Sequence, residues 1–427
     1  MSPNRVVILS ASVGAGHDSA AAALADRMTS RGFTVDRHDF LDLMPGGRAM
    51  CGSYKRIITR APALYQCIYE RTERHTRPGA VQRRLLRASE RAVLAAIPDD
   101  TAAVIATYPL AAQVLGRLRR TGRLTVPVAT VFTDFSVHPL WIADGVDLYL
   151  AATPATAFQA RRHGAERVRA AGPLVDRRFG PSSREEKAAA RERFGLPSAE
   201  GAKIALLLGG SWGVGDIEAT AADLAASGVV TPVVVCGRNE ALRARLRAQG
   251  VKHAFGWVGD MPGLMAAADV MVQNAGAAST LEAFASGLPV ATYRCLQGHG
   301  RTNAEVLDDA GLAVWIRTPD ELAATLLELT SGPRGLRQRS AGLALVADGT
   351  GKTDGAVLGL IDEHRLVDEH SDAVLSLPVP GSIPLPASLS VPVPGSISAM
   401  RDASAPAQLV PLREASLLDV TLQEAAV

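Results

Sequence analysis

The chain has 427 residues and a formal net charge of +2, so it is too long for one ordinary hydrophobic core and shows no global charge excess for nucleic acid. Two domains of roughly 150 to 200 residues are therefore expected. The four cysteines are widely spaced without a CxxC pair, which argues against a zinc site or a disulfide framework and favours a reducing compartment. No apolar run approaches the ~20 residues of a membrane span, and no signal-peptide pattern precedes the first strand, so we expect only peripheral membrane contact.

The first predicted strand, Arg5 to Ser10, runs into a glycine-rich loop and an Ala-rich helix predicted from Ser19 to Ser30. The loop contains Gly14, Gly16 and His17, but it is neither a GxGxxG nor a Walker loop, so a nucleotide site here is the weaker interpretation. A histidine at a helix N-terminus is favoured as a neutral imidazole that can accept a proton. The alternative is a histidine that caps the helix or packs in the core.

Residues 48–91, which we call the basic arm, carry eleven Lys and Arg side chains against three Glu. Tyr54, Tyr65, Tyr69 and several aliphatic residues lie between these charges. Two interpretations remain open. The arm either binds an anionic membrane, at about 1 kcal/mol per basic residue close to the lipid, or is a solvated basic face. Nucleic-acid binding is less favoured, because no recognised module accompanies the charges.

Two further buried strands are predicted at Ala102 to Thr107 and Val126 to Phe132. The second is followed by Asp134, His138 and Trp141. Open α/β sheets place their ligand crevice at the carboxyl ends of parallel strands, so these side chains are candidates for a binding site. A structural role for Asp134 as a cap is the alternative.

The chain leaves the first sheet in a polar segment near Pro181, where we place the interdomain linker. The second domain begins with the predicted strand Lys203 to Leu208, and a turn of small residues follows it. We interpret this turn, with Gly209, Gly210 and Ser211, as a phosphate cradle.

The most informative stretch is residues 257–307. Its predicted strand, Asp269 to Gln273, breaks into a turn of small residues and a helix predicted from Thr280 to Ser286, with Ser279 as its cap. Such a turn presents free backbone N–H groups and the positive end of a helix dipole to a diphosphate. Glu282, just inside the helix, would suit a ribose diol. The alternative is an ordinary strand-to-helix turn, which also favours Gly and Ala.

The order of the turn at Trp257, the small-residue turn and the run Gly298 to Asn303 resembles the nucleotide-sugar half of GT-B glycosyltransferases of family 28. That family contains monogalactosyl- and processive diacylglycerol glycosyltransferases and the lipid II-forming N-acetylglucosaminyltransferase. The SASxGAGH loop around His17 and the TDFxxHxxW pattern from Thr133 resemble the other half. The resemblance covers residue 5 to about residue 365. It implies an α/β fold of two Rossmann-like parallel-sheet domains facing across a cleft.

The resemblance also assigns roles. It implies an acceptor domain over residues 1–176 and a UDP-sugar domain over residues 177–367, with His17 as base for the acceptor hydroxyl and Asp134 as the base or its orienting group. The acceptor-binding set is Gly14, Gly16, His138 and Trp141. The donor-binding set is Gly209, Gly210, Ser211, Arg238, Trp257, Val258, Asn274, Gly276, Ala277, Thr280, Glu282, His299 and Asn303. Neither a metal nor another cofactor is expected, because backbone N–H groups and helix dipoles can stabilise the leaving diphosphate, and neither glycine-rich turn carries a DxD-like pair.

The implied activity is hexosyl transfer from a UDP-sugar to a lipid hydroxyl, most simply that of diacylglycerol, in glycolipid biosynthesis. The implied location is cytoplasmic and peripheral, on the inner face of the plasma membrane. His299 and Gly300 replace the Gln and Glu of the family's Gly-Gln-Glu-x-x-Asn run, so the donor sugar stays open. The alternatives are a nucleotide-sugar epimerase of the same fold and an inactive nucleotide- or lipid-binding module. Residues 368–427, rich in Pro and Ser with a repeated VPGSI, are predicted to be a disordered tail.

Overall fold

The computed structural model describes residues 3–74, 79–274 and 276–375, which form two parallel β-sheets of six strands each. The strands of the first sheet are β1 Arg5–Ser10, β2 Thr34–Asp39, β3 Thr101–Ala106, β4 Val128–Val131, β5 Leu148–Ala151 and β6 Val168–Ala170. Its helices are α1 Gly16–Ser30, α2 Phe40–Leu43, α3 Gly47–Arg60, α4 Pro62–Glu73, α5 Ala80–Ala95, α6 Pro109–Arg120 and α7 Pro154–Arg162, with a 3₁₀ turn at Pro139–Trp141.

The second sheet follows along the chain. Its strands are β7 Ile204–Leu208, β8 Thr231–Val235, β9 Ala254–Phe255, β10 Val270–Gln273, β11 Val290–Tyr293 and β12 Val314–Ile316. The remaining helices are α8 Arg184–Arg193, α9 Ile217–Ala226, α10 Glu240–Ala248, α11 Met261–Ala267, α12 Ala277–Ala285, α13 His299–Asp309, α14 Leu322–Ser331, α15 Pro333–Gly349 and α16 Lys352–Leu375, with a 3₁₀ turn at Pro319–Glu321. The predicted class, two parallel-sheet α/β units, is confirmed.

Both sheets contain a point at which the strand order reverses. The first sheet has the order β2-β1-β3-β4-β5-β6, and the second has the order β12-β11-β10-β7-β8-β9. Loops that leave neighbouring strands at such a point run to opposite faces of the sheet and open a crevice beyond the carboxyl ends. This crevice lies beside β1 and β3 in the first sheet and beside β7 and β10 in the second. The loops after β1, β7 and β10, together with the helix starts that follow them, carry most of the candidate residues.

The inner strands are apolar on both faces because helices cover both sides of each sheet. In β1, Val6 and Ile8 pack into one core, while Val7 and Leu9 pack into the core on the opposite face. β7 alternates in the same way between two cores of the second sheet. Charged groups are therefore excluded from the interiors of the inner strands and collect at the strand ends, where the crevices open.

The last described helix returns to the first sheet. Val357 and Ile361 of α16 are buried in one of the cores of that sheet, and Asp354 pairs with Arg31 of α1 at 2.8 Å. The predicted domain limits remain predictions, but residues 352–367 pack with the first sheet rather than the second. α16 continues to Leu375, so the first eight residues of the predicted tail are helical, and residues 376–427 lie outside the described residues. Within the described residues, no helix combines the length and apolarity needed to cross a membrane.

Two helices begin earlier than predicted. α1 starts at Gly16 rather than at Ser19, and α12 starts at Ala277 rather than at Thr280. Ala and Ser cost little inside a helix, so the small residues Ala277, Ala278 and Ser279 extend α12 backwards, whereas α1 gains the residues Gly16, His17 and Asp18. As a result Ser279 lies in the first turn of α12 and is not its cap; the cap position is Gly276, without a side-chain hydrogen bond.

Candidate active site

The carboxyl ends of the two sheets border one cavity of about 590 Å³, within the range of small-molecule sites. Most of the candidate residues line it, and they come from both halves of the chain. From the first half these are Gly14, Gly16, His17, Asp134, His138 and Trp141; from the second they are Gly209, Gly210, Ser211, Trp257, Val258, Asn274, Gly276, Ala277, Glu282 and His299. The sequence-predicted residues that do not line it are Arg238, Thr280 and Asn303.

His17 is held by the end of the neighbouring strand. Its Nδ1–H donates to the backbone carbonyl of Thr107 at 2.7 Å, and Thr133 Oγ1 lies 2.9 Å from the same nitrogen. This contact selects the tautomer that leaves Nε2 with a lone pair. Among the described residues, neither a partner of Nε2 nor a hydrogen bond between His17 and Asp134 is found. Thr107 therefore orients the imidazole, and of the two roles considered for Asp134, base or orienting group, the second has no hydrogen bond to His17 among the described residues.

The pKa of His17 is lowered, chiefly because burial disfavours the charged ring. Asp134, the Thr107 carbonyl and Asp18 oppose this shift, and His299 adds to it. The expected neutral imidazole is thus supported, although burial rather than the helix dipole is the leading cause. Asp18 also accepts hydrogen bonds from the hydroxyls of Ser10 and Ser12, which ties the glycine loop to the end of β1.

Asp134 is half-buried and does not cap a helix. Its Oδ1 accepts a hydrogen bond at 3.0 Å from Nδ2 of Asn303, which belongs to α13 of the second half. Asn303 was expected among the donor-binding residues, but its side chain is directed at the loop after β4 and away from the cavity.

His138 was expected to face the acceptor, and its ring does line the cavity, but both ring nitrogens are engaged. Nδ1 accepts from Leu140 N–H at 3.2 Å, so His138 caps the 3₁₀ turn, and Nε2 lies 3.1 Å from Thr72 Oγ1. Burial lowers its pKa to about 4. Trp141 is buried behind His17, with ring centroids 6.0 Å apart. These residues form the wall of the cavity and support His17.

In the second half, two glycine-rich turns approach the same space. Gly210 has φ +65°, a left-handed conformation that favours glycine, and lies in the turn after β7 that leads into α9. The neighbouring Ser211 carbonyl accepts from Arg238 N–H at 2.9 Å, which fixes the turn against the end of β8. The side-chain amide of Asn274 also stabilises a turn, because its Nδ2 donates to the Val214 carbonyl at 2.7 Å.

α12 points its N-terminus at the cavity. Its first turn has N–H groups without acceptors inside the helix, which makes this end attractive to an anion. Thr280 was expected to touch the donor, but it is fully buried and its hydroxyl donates to the Gly276 carbonyl at 2.8 Å. Glu282 lies in the second turn of α12 and faces the cavity. Burial and, secondarily, Asp176 raise its pKa to about 7.

The rim of the cavity carries an exposed tryptophan. Trp257 is 55% exposed, and the guanidinium of Arg238 lies 4.6 Å from the centre of its ring. Arg238 does not line the cavity itself, and its contact with the donor region is the one with the Trp257 ring. An exposed indole braced by a cation is available for stacking on a flat ligand.

The basic arm forms helices α3, α4 and α5, and its tyrosines do not face solvent as a membrane surface would require. Tyr65 and Tyr69 are buried, and they contact α13 of the second half. Tyr65 Oη lies 2.9 Å from Nδ1 of His299, and Tyr69 Oη lies 3.2 Å from Thr302 Oγ1. These two side chains therefore pack in the cleft and are not available to a membrane surface.

The turn before α13 is adapted to this contact. Gly298 has φ +67°, and a Cβ atom there would lie 2.7 Å from the ring of Tyr65. Its N–H donates to Gln66 Oε1 at 2.6 Å. Tyr54 and Lys55 of α3 similarly approach Trp212 in the turn after β7, with the Lys55 ammonium 5.4 Å from the indole. The arm thus covers the cleft and contacts the turn after β7 and the turn before α13. Tyr65 and Tyr69 are four residues apart, which places them on the same face of a helix. This spacing was the sequence feature from which a buried face could have been predicted.

The comparisons with known proteins agree with this arrangement. Residues 17–175 match the family model of monogalactosyldiacylglycerol (MGDG) synthase, and residues 217–331 match the model of glycosyl transferases group 1. The first match contains His17, the basic arm and Asp134, and the second contains α12 and α13.

A curated relative with a similar sequence is the processive diacylglycerol beta-glucosyltransferase of Bacillus pumilus, 28% identical over 235 residues. The alignment covers 53% of this chain and 60% of the relative. The enzyme of the same name from Bacillus subtilis is 28% identical over 234 residues, covering 53% of this chain and 60% of the relative. The chain thus matches less than two thirds of the length of these relatives.

A solved structure with the same architecture is MurG of Acinetobacter baumannii, with a TM-score of 0.50, 18% identity, and coverage of 84% of this chain and 100% of that one. This similarity concerns the fold. It confirms the two-sheet GT-B architecture inferred above. The matches to the two family models and to the diacylglycerol glucosyltransferases, together with this fold, identify the chain as a GT-B protein similar to the family 28 glycosyltransferases.

Proposed function

We propose that the protein is a glycosyltransferase that moves a hexose from a UDP-sugar to the hydroxyl of a lipid acceptor of the diacylglycerol type. The observation that carries the proposal is the shared cavity. His17 and Asp134 reach it from the first sheet, and the N-terminus of α12 reaches it from the second. A base and an anion-binding helix end on opposite walls are the groups that glycosyl transfer from a nucleotide requires.

The acceptor hydroxyl must lose a proton as it attacks the anomeric carbon of the sugar. His17 suits this step because its ring is kept neutral and its Nδ1 is bound to the Thr107 carbonyl, so that Nε2 can accept the proton. Asp134 borders the same cavity and is the second candidate for the base. Both come from the half that would hold the acceptor.

The leaving UDP would carry its diphosphate to the N-terminus of α12 and the turn at Gly210 and Ser211. The free N–H groups of these turns and the helix dipole would stabilise the developing charge without a metal ion. Glu282 would accept the ribose hydroxyls, and Trp257 would stack near the base. His299, held by Tyr65, would lie beside the sugar, so its imidazole replaces the family's Gln in contacting sugar hydroxyls.

The acceptor is proposed to be a lipid for two reasons. The relatives that match are named for diacylglycerol, and the cavity wall on the acceptor side is rich in aromatic and aliphatic side chains, including Ile58, Tyr108 and Trp141. These surfaces can contact apolar chains near the glycerol hydroxyl.

The basic arm is proposed to dock the enzyme on anionic lipid at the cytoplasmic, inner face of the plasma membrane. Although its tyrosines turn inward, the arm exposes the basic side chains Arg56, Arg60 and Arg71 and also the apolar side chain Leu64, which is 37% exposed. Basic side chains next to a small apolar surface are suited to a membrane interface.

The test is a panel of radiolabelled UDP-sugars incubated with the purified chain and vesicles with or without diacylglycerol. The expected result is label in the lipid phase that depends on both the donor and diacylglycerol. Interconversion of UDP-sugars without lipid labelling would favour an epimerase instead. UDP binding without either product would favour a binding module.

A further inference from the structure

Asn303 is a buried amide in the second turn of α13, and its side chain crosses to the other half of the molecule. It is 1% exposed. Its Oδ1 accepts from the backbone N–H groups of Phe135 and Ser136 at 3.0 and 2.9 Å, and from Ser136 Oγ at 3.0 Å. Its Nδ2 donates to Asp134 Oδ1 at 3.0 Å.

These contacts define which way the amide faces. Three donors surround the oxygen, and a carboxylate oxygen lies against the nitrogen, so a flipped amide would oppose like groups on both sides. An aspartate in this place could keep the three bonds to the oxygen but would set a second carboxylate against Asp134. The bond to Asp134 therefore requires an amide and is separable from the bonds that hold the loop.

The contact joins the two halves at one defined place. Thr302, the neighbour of Asn303, contributes a further contact of 2.9 Å between its Oγ1 and Ser136 Oγ. All of these bonds link α13 of the second half to the loop after β4 of the first half. A wider cleft would break them together, and Asp134 would then lose its amide partner.

We infer that Asn303 is a positioning residue that orients the Asp134 carboxylate toward the cavity only when the two halves are closed. This inference rests on the proposed function, since it assigns to Asp134 a part in the reaction. The donor half therefore supplies a residue that orients a side chain of the acceptor half. α13 begins with His299, which borders the sugar position, and its Asn303 orients the Asp134 carboxylate beside the acceptor. The reacting groups are assembled by closure rather than by either half alone.

The test uses four variants of the full chain: Asn303→Asp, Asn303→Ala, Asp134→Asn and the double variant Asp134→Asn/Asn303→Asp. The double variant exchanges the donor and the acceptor of the Asn303–Asp134 bond and keeps the bonds to the loop. Thermal unfolding at pH 7.5 and UDP binding by calorimetry are measured for all of them, and kcat and KM are measured with vesicles.

Asn303→Asp is expected to lower the unfolding temperature, because two carboxylates then meet, and the double variant is expected to restore it. This readout needs no turnover, so it tests the contact even if the wild type transfers no sugar, an outcome that would refute the proposed function alone. If the unfolding temperature stays low in the double variant, the inference is overturned.

For turnover, Asn303→Asp and Asn303→Ala are each expected to lower kcat at least about tenfold, with KM for the UDP-sugar and UDP affinity little changed. The double variant is expected to stay inactive although its stability returns. A purely structural contact would give the opposite result, with turnover returning together with stability. Wild-type kcat in Asn303→Asp would also overturn the inference.

Discussion

Replacing Glu282 with glutamine tests the electrostatic environment of the predicted ribose contact. Burial and Asp176 raise the pKa of this carboxyl from its ordinary value of 4.5 to about 7. Because the folded state holds the proton more tightly than the unfolded state, Glu282 favours folding fully below pH 4.5, and this contribution is lost as the pH rises through about 7.

The size of the effect follows from the pKa change. A tenfold change in proton affinity corresponds to about 1.4 kcal/mol, so the full change from 4.5 to about 7 would be worth roughly 3 kcal/mol. Glu282 is half-buried and borders a cavity that water can enter, so we expect a loss of roughly 1 to 2 kcal/mol between pH 4.5 and pH 8. Glutamine carries no charge, and Glu282→Gln should lack this part of the pH dependence.

Urea unfolding at pH 5 and pH 8 measures this difference in free energy for the wild type and the variant. Glu218→Gln is the matched control: Arg245 lowers the pKa of Glu218, which is therefore ionised in the folded state throughout this interval. Its effect should differ little between the two pH values. Identical pH dependence in Glu282→Gln and the wild type would refute the proposed burial of this carboxyl.

Three further results are expected. His17→Ala should lower kcat by ~10²- to 10⁴-fold with UDP affinity nearly unchanged in calorimetry, because the donor is held by the other half; full activity there together with an inactive Asp134→Asn would make Asp134 the base. Dialysis against EDTA should leave the rate of sugar transfer unchanged, whereas a loss restored by Mg²⁺ would contradict diphosphate stabilisation by backbone N–H groups alone. Arg56→Glu should weaken binding to anionic vesicles in sedimentation by roughly fivefold or more, and added salt should weaken binding of the wild type in the same way. The same change at exposed Arg162, outside the arm, should have little effect. Equal effects of the two changes would show that the arm is only a solvated basic face.

Much of the fold was predictable because buried parallel strands appear as continuous apolar runs. β1 and β7 are such runs, and each is followed by a glycine-rich turn. The helix starts were less predictable, because Ala and Ser are accepted both in turns and in helices. Ser279 has the residue type of a cap, yet it lies within α12 once the helix has grown back to Ala277.

The contacts across the cleft could not be derived from local pattern. Tyr65 and Asn303 are more than two hundred residues apart along the chain, and both serve the surface at which the halves meet. Local composition placed the tyrosines with the charges of the basic arm, because it shows amphipathic character but not which element covers the apolar face. Similarly, Asn303 occupies a position in the family's motif, but nothing in the local sequence predicts that its side chain contacts Asp134.

The central claim is tested most directly by the stoichiometry of transfer. The wild-type chain is incubated with a labelled UDP-hexose that the donor panel selects, with vesicles containing diacylglycerol, and both UDP and hexosyl lipid are quantified. We predict one UDP released for each hexose transferred to the lipid, and neither product without diacylglycerol. UDP release that is independent of the lipid, or no hexosyl lipid with any donor of the panel, would contradict the account.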